Sequence, residues 1–206
     1  MNDFHHVYQK GNGRQTIVAL HGTGGGERDL LDLARGLWPD ANLLGVRGRI
    51  SERGAARFFR RHAEGVFDEE NLRAEANALA DFIAWASDEY EFESHHVWAL
   101  GYSNGANIAA SLFFLRPQTL AGAVLLRAMT PLQDDLPDLS GKQILLLAGG
   151  QDTLVPTQEI QDLQHRFRAA GAEVALNMAD ADHALTAGDI EAARDWLNAH
   201  RKRIEG

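Results

Sequence analysis

The sequence has 206 residues and contains no cysteine. Thiol catalysis, disulfide bonds and thiolate metal sites are therefore all excluded. Basic residues are outnumbered by acidic ones, 20 to 29, which gives a formal net charge of -9 at pH 7. Because nucleic-acid binding needs clustered cations, we expect no nucleic-acid partner. Arg57, Arg60 and Arg61 form a local basic group, which is either a solvated surface or part of a pocket rim.

Long apolar runs are missing as well. The longest are far shorter than the roughly 20 residues that cross a bilayer, so no membrane insertion is expected. Residues 1–6 lack the charged and apolar regions of a signal peptide, and we expect a cytoplasmic protein. No repeat, low-complexity tract or Pro/Ser-rich linker divides the chain, which predicts a single domain over residues 1–206.

Short apolar runs alternate with amphipathic stretches, which predicts an α/β fold: a mainly parallel sheet with helices on both faces. The strands predicted to be covered on both faces are 15–20, 41–46, 97–100, 122–126, 143–147 and 173–178. Residues 4–9 are predicted as an edge strand that pairs antiparallel to strand 15–20. Helical periodicity covers residues 30–38, 72–86, 104–115, 160–167 and 190–197.

Two connections do not fit this alternation. Residues 131–141 contain no convincing helix and are barely long enough to cross between parallel strands. Residues 48–71 form a long connection of mixed composition. A loop of that length inside a domain is often functional, which makes it a candidate substrate loop.

The pentapeptide Gly101-Tyr102-Ser103-Asn104-Gly105 matches G-x-S-x-G. An apolar strand runs directly into it and an apolar helix runs directly out. A strand, a sharp turn and a helix in that order raise a serine above the sheet on a strained backbone. The setting, more than the pentapeptide, predicts that Ser103 is a nucleophile.

A serine hydroxyl needs a base to take its proton, and the base needs an acid to orient it. In this architecture the acid and the histidine follow the serine, each after a later strand. Asp152 follows strand 143–147 and His183 follows strand 173–178. We therefore predict Asp152 as the acid, in preference to Asp180 and Asp182, which lie too close to His183 along one loop. His21 is expected to organise a loop instead of acting as the base.

Acyl transfer also requires N–H donors for the oxyanion. One is predicted at Asn104, the residue after the nucleophile. The other is predicted at Thr23, in the glycine-rich loop that follows the first parallel strand. The chain has neither a G-x-G-x-x-G fingerprint nor a Walker lysine, which weakens the alternative that this loop binds phosphate. Neither a metal nor an organic cofactor is expected.

The substrate pocket is predicted from the long connection and from loops after later strands, although core packing is an equally good interpretation for each residue. The candidates are Phe58, Phe59, Phe67, Leu132, Leu154 and Val155. An apolar cleft built from such residues favours small or medium esters over long lipids.

The segments HGTGGGE, GYSNGAN, GGQDTLVP and ADADHALT together resemble the α/β-hydrolase superfamily. They look most like its phospholipase/carboxylesterase branch, which includes the acyl-protein thioesterases, and FFRRHAEGVFDEENL resembles a segment of small bacterial carboxylesterases in that branch. The resemblance implies Ser103, Asp152 and His183 as a triad, and Thr23 and Asn104 as oxyanion donors. It further implies a compact α/β-hydrolase fold without a large lid domain, and a homodimer.

These residues predict a serine carboxylesterase that acts on a small-molecule ester. A thioesterase or lysophospholipase with the same triad is the alternative. The chain departs from acyl-protein thioesterases at Asn104, where they usually carry glutamine, and it is shorter, so the ester is favoured. A binding protein built on a hydrolase scaffold is a further alternative, disfavoured because a binder has no need of all three triad groups.

Overall fold

A seven-stranded sheet forms the centre of the structure, a computed structural model that describes residues 4–204, with side chains up to residue 200. The strands in this range are β1 (His6–Gln9), β2 (Thr16–Leu20), β3 (Asn42–Val46), β4 (Ile50–Glu52), β5 (Ala55–Arg57), β6 (Arg61–Ala63), β7 (Val66–Phe67), β8 (Val97–Tyr102), β9 (Gly122–Leu126), β10 (Gln143–Gly149) and β11 (Glu173–Ala179). The central sheet has the order β1-β3-β2-β8-β9-β10-β11. Every neighbouring pair in it is parallel except β1 with β3. The predicted mainly parallel sheet is confirmed.

The edge strand β1 lies in a different place from the one predicted. It pairs antiparallel with β3, in a register that joins His6 to Val46, and has no pairing with β2. All five residues of β2 are buried, and both of its edges are occupied by the parallel strands β3 and β8. The strand β1 therefore extends the sheet at the free edge of β3.

Five helices cover the two faces of the sheet in the described chain, as predicted. They are α1 (Leu31–Leu37), α2 (Glu69–Tyr90), α3 (Asn104–Leu115), α4 (Thr157–Ala169) and α5 (Ala187–Ile204). The apolar sides of α1 and α5 pack on one face, and those of α2, α3 and α4 pack on the other. Among the described residues, none of these helices is both long and apolar enough to cross a membrane.

The long connection between β3 and α2 folds into two antiparallel hairpins, β4 with β5 and β6 with β7. It ends at Asp68, whose side chain accepts a hydrogen bond from the Asn71 N–H (3.0 Å) and so caps α2. No insertion in the described part of the chain is large enough to form a lid domain. Residues 131–141 cross from β9 to β10 without a helix.

The carboxyl ends of the parallel strands share one edge of the sheet, which is where open α/β sheets bind ligands. His21 follows β2, Ser103 follows β8, Asp152 follows β10 and His183 follows β11. Residues separated by up to 162 positions in the chain are thereby brought to one rim.

Candidate active site

Ser103 occupies the sharp turn between β8 and α3. Its backbone has φ 51° and ψ -113°, a left-handed conformation that costs a residue with a side chain about 1–3 kcal/mol. Two hydrogen bonds hold it there: the Ser103 N–H donates to the Leu126 carbonyl (2.8 Å), and the Ser103 carbonyl accepts from the Asn107 N–H (2.9 Å). The strain is therefore balanced by the neighbouring strand and by the first turn of the helix.

The two glycines of the pentapeptide are required by close packing. A Cβ at Gly105 would lie 2.0 Å from the carbonyl oxygen of Leu20, at the end of β2. A Cβ at Gly101 would lie 2.7 Å from the Cα of Ala106 in the helix. Real Cβ atoms do not approach backbone atoms this closely, so larger side chains would force the helix away from the sheet.

The structure brings Ser103, His183 and Asp152 together in one line. Ser103 Oγ lies 2.9 Å from His183 Nε2, and His183 Nδ1 lies 2.7 Å from Asp152 Oδ2. Both distances are within hydrogen-bonding range for proton transfer. Because the ionised carboxylate can only accept, Nδ1 carries the proton and Nε2 is free to accept from the serine hydroxyl.

Asp152 is held in place by its own loop. Its Oδ1 accepts from the N–H groups of Leu154 (2.8 Å) and Val155 (3.1 Å), which leaves Oδ2 for the histidine. Its side chain is 1% exposed, whereas that of His183 is 23% exposed. The acid is thus shielded from water, and the histidine faces the cleft.

Thr23 and Asn104, the predicted oxyanion donors, both line the cleft beside Ser103. Asn104 is the first residue of α3, where backbone N–H groups have no partner within the helix. Among the described residues, neither the Thr23 nor the Asn104 N–H donates a hydrogen bond. Two unused donors next to a serine can stabilise a developing negative charge.

The long connection fixes the loop that carries Thr23. The Arg57 Nη1 donates to Thr23 Oγ1 (2.6 Å), and the Gly24 N–H donates to the Ala56 carbonyl (2.9 Å). Arg57 is only 3% exposed, and burial lowers the pKa of its guanidinium below the ordinary value. Of the basic group, Arg57 and Arg61 line the cleft and Arg60 is exposed, so the rim interpretation holds for two of the three.

The same connection holds the other donor residue. The Phe58 N–H donates to Asn104 Oδ1 (2.7 Å), and Asn104 is 2% exposed. The side-chain Nδ2 of Asn104 has no hydrogen-bond partner among the described residues. An unpaired buried donor of this kind costs about 1–3 kcal/mol.

His21 organises the loop after β2, as expected. Its Nε2 accepts from the Gly48 N–H (3.0 Å), and its Nδ1 pairs with the Gly22 carbonyl. The contact from Gly48 requires the neutral ring, because only an unprotonated Nε2 can accept, and burial lowers the pKa of His21 because it disfavours the imidazolium. His21 therefore joins the glycine-rich loop to the start of the long connection.

The cleft above Ser103 has a volume of about 280 Å³. Its walls include three of the predicted pocket residues, Phe67, Leu154 and Val155. Phe58, Phe59 and Leu132 do not line it, and for these three the structure favours the alternative of core packing. Each is at most 1% exposed, because it faces the apolar cluster between the sheet and α2, α3 and α4.

Arg127, Asp189 and Tyr102 were not singled out from the sequence, yet all three surround the His183 loop. Arg127 and Asp189 form an ion pair whose side chains are both 0% exposed. The Tyr102 hydroxyl donates to the His183 carbonyl (3.0 Å). The available signal for Arg127 was an arginine directly after a fully apolar strand, at the edge of the sheet where the carboxyl ends of the parallel strands meet.

No group of three or more His, Cys, Asp and Glu in the described chain is arranged to hold a metal ion.

Comparisons with known proteins identify the family of this chain. Residues 52–202 match the sequence profile of the dienelactone hydrolase family. The chain belongs to this family. It is 45% identical over 192 residues to the Bacillus subtilis (strain 168) protein named as hydrolase MhqD, a match that spans 93% of this chain and 96% of that protein.

Solved structures of carboxylesterases also superimpose closely on this chain. A Bacillus cereus carboxylesterase superimposes with a TM-score of 0.94 at 42% identity, covering 96% of this chain and 94% of that one. A carboxylesterase from Mesorhizobium loti gives 0.89 at 32% identity, covering 96% and 97%. The α/β-hydrolase fold and the resemblance to carboxylesterases are thereby confirmed, and the protein is a hydrolase.

Proposed function

We propose that this hydrolase is a serine carboxylesterase that cleaves small carboxylic esters through an acyl-enzyme on Ser103. The observation that carries the proposal is the hydrogen-bonded line from Ser103 Oγ to His183 Nε2 (2.9 Å) and from His183 Nδ1 to Asp152 Oδ2 (2.7 Å). Its similarity to two carboxylesterases supports the same reaction.

In the first half-reaction, Ser103 Oγ attacks the ester carbonyl carbon while His183 Nε2 takes the hydroxyl proton. The carbonyl oxygen becomes an oxyanion, which accepts hydrogen bonds from the Thr23 and Asn104 N–H groups. Asp152 orients the imidazole and stabilises its positive charge. When the carbon–oxygen bond to the alcohol breaks, His183 returns the proton to the leaving oxygen. Water then attacks the acyl-enzyme by the same route and releases the acid.

The cleft supports a small substrate. Its volume of about 280 Å³ is just below the roughly 300–1,000 Å³ typical of small-molecule sites. Its lining is mixed: Phe67, Leu154 and Val155 offer apolar contacts, and Arg57 and Arg61 offer charge. A long acyl chain would extend out of such a cleft into water, so lipid substrates are disfavoured.

Labelling with a fluorophosphonate probe tests the nucleophile. We expect one label per wild-type chain, no label on Ser103→Ala, and wild-type labelling of Ser140→Ala, which removes an exposed serine from a distant turn. Ser103→Ala should lower kcat by about 10⁶-fold, as removal of a triad nucleophile does elsewhere. Labelling of folded Ser103→Ala, or turnover by it, would overturn the assignment.

The substrate class is tested with p-nitrophenyl acetate, butyrate, octanoate and palmitate beside a butyryl thioester. We expect kcat/KM to be highest for the short esters and to fall as the chain lengthens past the cleft. A preference for palmitate or for the thioester would instead favour a lysophospholipase or a thioesterase with the same triad.

A further inference from the structure

Arg127 is a buried arginine at the edge of the sheet where the carboxyl ends of the parallel strands meet. It follows β9 directly, has φ 56°, and is 1% exposed. Its guanidinium forms a two-pronged ion pair with Asp189, with Nη1 to Oδ1 at 2.9 Å and Nη2 to Oδ2 at 2.7 Å. A buried pair of this kind adds little net stability, because desolvation opposes the attraction between the charges. The other hydrogen bonds of Arg127 therefore indicate the role of the pair better than its stability does.

The remaining N–H groups of Arg127 bind backbone carbonyls on both sides of His183. Nε donates to the Asp182 carbonyl (3.1 Å), and Nη2 donates to the Ala184 carbonyl (2.8 Å). Nη1 also donates to the Leu147 carbonyl in β10 (3.2 Å). One rigid, planar group thus joins the histidine loop to the central sheet.

The two neighbouring carbonyls of this loop are also occupied. The Tyr102 hydroxyl donates to the His183 carbonyl (3.0 Å), and the Gln151 N–H donates to the Ala181 carbonyl (2.9 Å). The Tyr102 ring lies 5.6 Å from the imidazole, and burial raises the pKa of its hydroxyl, which keeps it a donor. Four consecutive carbonyls, from residue 181 to residue 184, are therefore held from outside the loop.

Asp189 is fixed just as firmly, in the first turn of α5. Its Oδ2 accepts from the N–H (2.8 Å) and the hydroxyl (2.9 Å) of Thr186. Burial opposes its ionisation, but the hydrogen bonds from Arg127 and Thr186 outweigh burial and hold the pKa of Asp189 below its ordinary value. The carboxylate therefore stays charged opposite the arginine at neutral pH.

We propose that Arg127, Asp189 and the Tyr102 hydroxyl, which we term the histidine clamp, position His183 for proton transfer. The clamp rests on the proposed function, since it serves the histidine that activates Ser103. No clamp residue takes part in bond making. Tyr102 holds the His183 carbonyl, Arg127 holds the carbonyls on either side of it, and Asp189 holds Arg127. Only arginine has donors in a planar fork, so lysine can keep the charge but cannot bind both flanking carbonyls. Because a displacement of 1 Å can reduce a rate by about 100-fold, losing the fork should reduce kcat strongly.

The test compares Arg127→Lys, Asp189→Asn and Tyr102→Phe with wild type, using p-nitrophenyl acetate and active sites counted by fluorophosphonate. We expect kcat per folded site to fall about 10- to 100-fold in the first two and about two- to fivefold in Tyr102→Phe, with KM within twofold of wild type. The matched control is Arg168→Lys, because Arg168 Nε and Nη2 also bind a carbonyl, that of Val174, away from the cleft. Its kcat should be unchanged.

A purely structural role would lower the urea midpoint and leave kcat per folded site at the wild-type value, and that result would overturn the clamp. If Arg127→Lys and Asp189→Asn fail to fold, Tyr102→Phe decides, because it removes one hydroxyl only; an unchanged kcat there would also overturn the proposal. Failure of the proposed function is a separate result, namely no labelling of wild type or turnover by Ser103→Ala.

Discussion

Two glycine-to-alanine substitutions should have opposite effects on stability, although the chemical change is the same. Gly105→Ala places a Cβ 2.0 Å from the Leu20 carbonyl oxygen, 2.5 Å from its carbonyl carbon and 2.6 Å from the His21 carbonyl oxygen. All three atoms are backbone, so no side chain can rotate away. Gly36 is exposed in α1, and a Cβ there meets nothing within 4 Å.

The magnitude follows from these distances. A carbon–oxygen contact is normally about 3.3 Å or longer, so α3 must move from β2 by about 1 Å. Overpacking costs about 1–3 kcal/mol, and two unyielding backbone segments place Gly105→Ala at the upper end, about 3 kcal/mol. For a chain of this size the loss corresponds to a melting temperature lower by about 6–12 °C. Gly36→Ala should raise the free energy of unfolding by about 0.5–1 kcal/mol, since alanine restricts the unfolded chain and favours the helix.

Urea denaturation at 25 °C measures both changes, and turnover of p-nitrophenyl acetate measures the consequence for the site. Because Ser103 directly precedes α3 and Asn104 begins it, Gly105→Ala should also lower kcat, whereas Gly36→Ala should leave it unchanged. If the two variants differ in unfolding free energy by less than about 1 kcal/mol, the close approach of α3 to β2 is refuted.

Other predictions concern pH and the pocket. The pKa of His21 is lowered by burial, so the unfolded chain takes up a proton first, and the free energy of unfolding falls as pH drops below about 6.5. His21→Gln keeps an acceptor for the Gly48 N–H without titrating, and its urea midpoint should change less between pH 7 and 5; an equal change would refute this role. Phe58→Ala should cost about 3–5 kcal/mol and leave KM unchanged, because Phe58 is core. Phe67→Ala should change KM and cost less stability than Phe58→Ala. A changed KM for Phe58→Ala with an unchanged KM for Phe67→Ala would contradict the cleft assignment.

The sequence was sufficient to predict the sheet, its helices and the line of Ser103, Asp152 and His183. Apolar runs and helical periodicity are local properties, and the strand ends place loops at one edge whatever the side chains do. The partner of β1 was not predictable in this way. It depends on which strand leaves an edge free, and that edge belongs to β3.

Only some of the predicted pocket residues line the cleft, for a similar reason. Phe58, Phe59 and Phe67 are chemically alike and lie within ten residues of one another, but the hairpins turn only Phe67 toward the cleft. Sequence alone shows that a side chain is apolar. It does not show whether the neighbouring surface is a core or a substrate site, because that surface comes from distant segments.

The sequence by itself determined that Ser103 lies in a strained turn between a strand and a helix, because glycines flank it on both sides. The tertiary structure alone decided what holds the histidine opposite that serine. Arg127, Tyr102 and Asp189 come from three separate segments, and their donors and acceptors meet around residues 181–184 only after the sheet has formed. Hydrogen-bond geometry between distant segments is not encoded in any local pattern, because it is set by how the strands and helices pack.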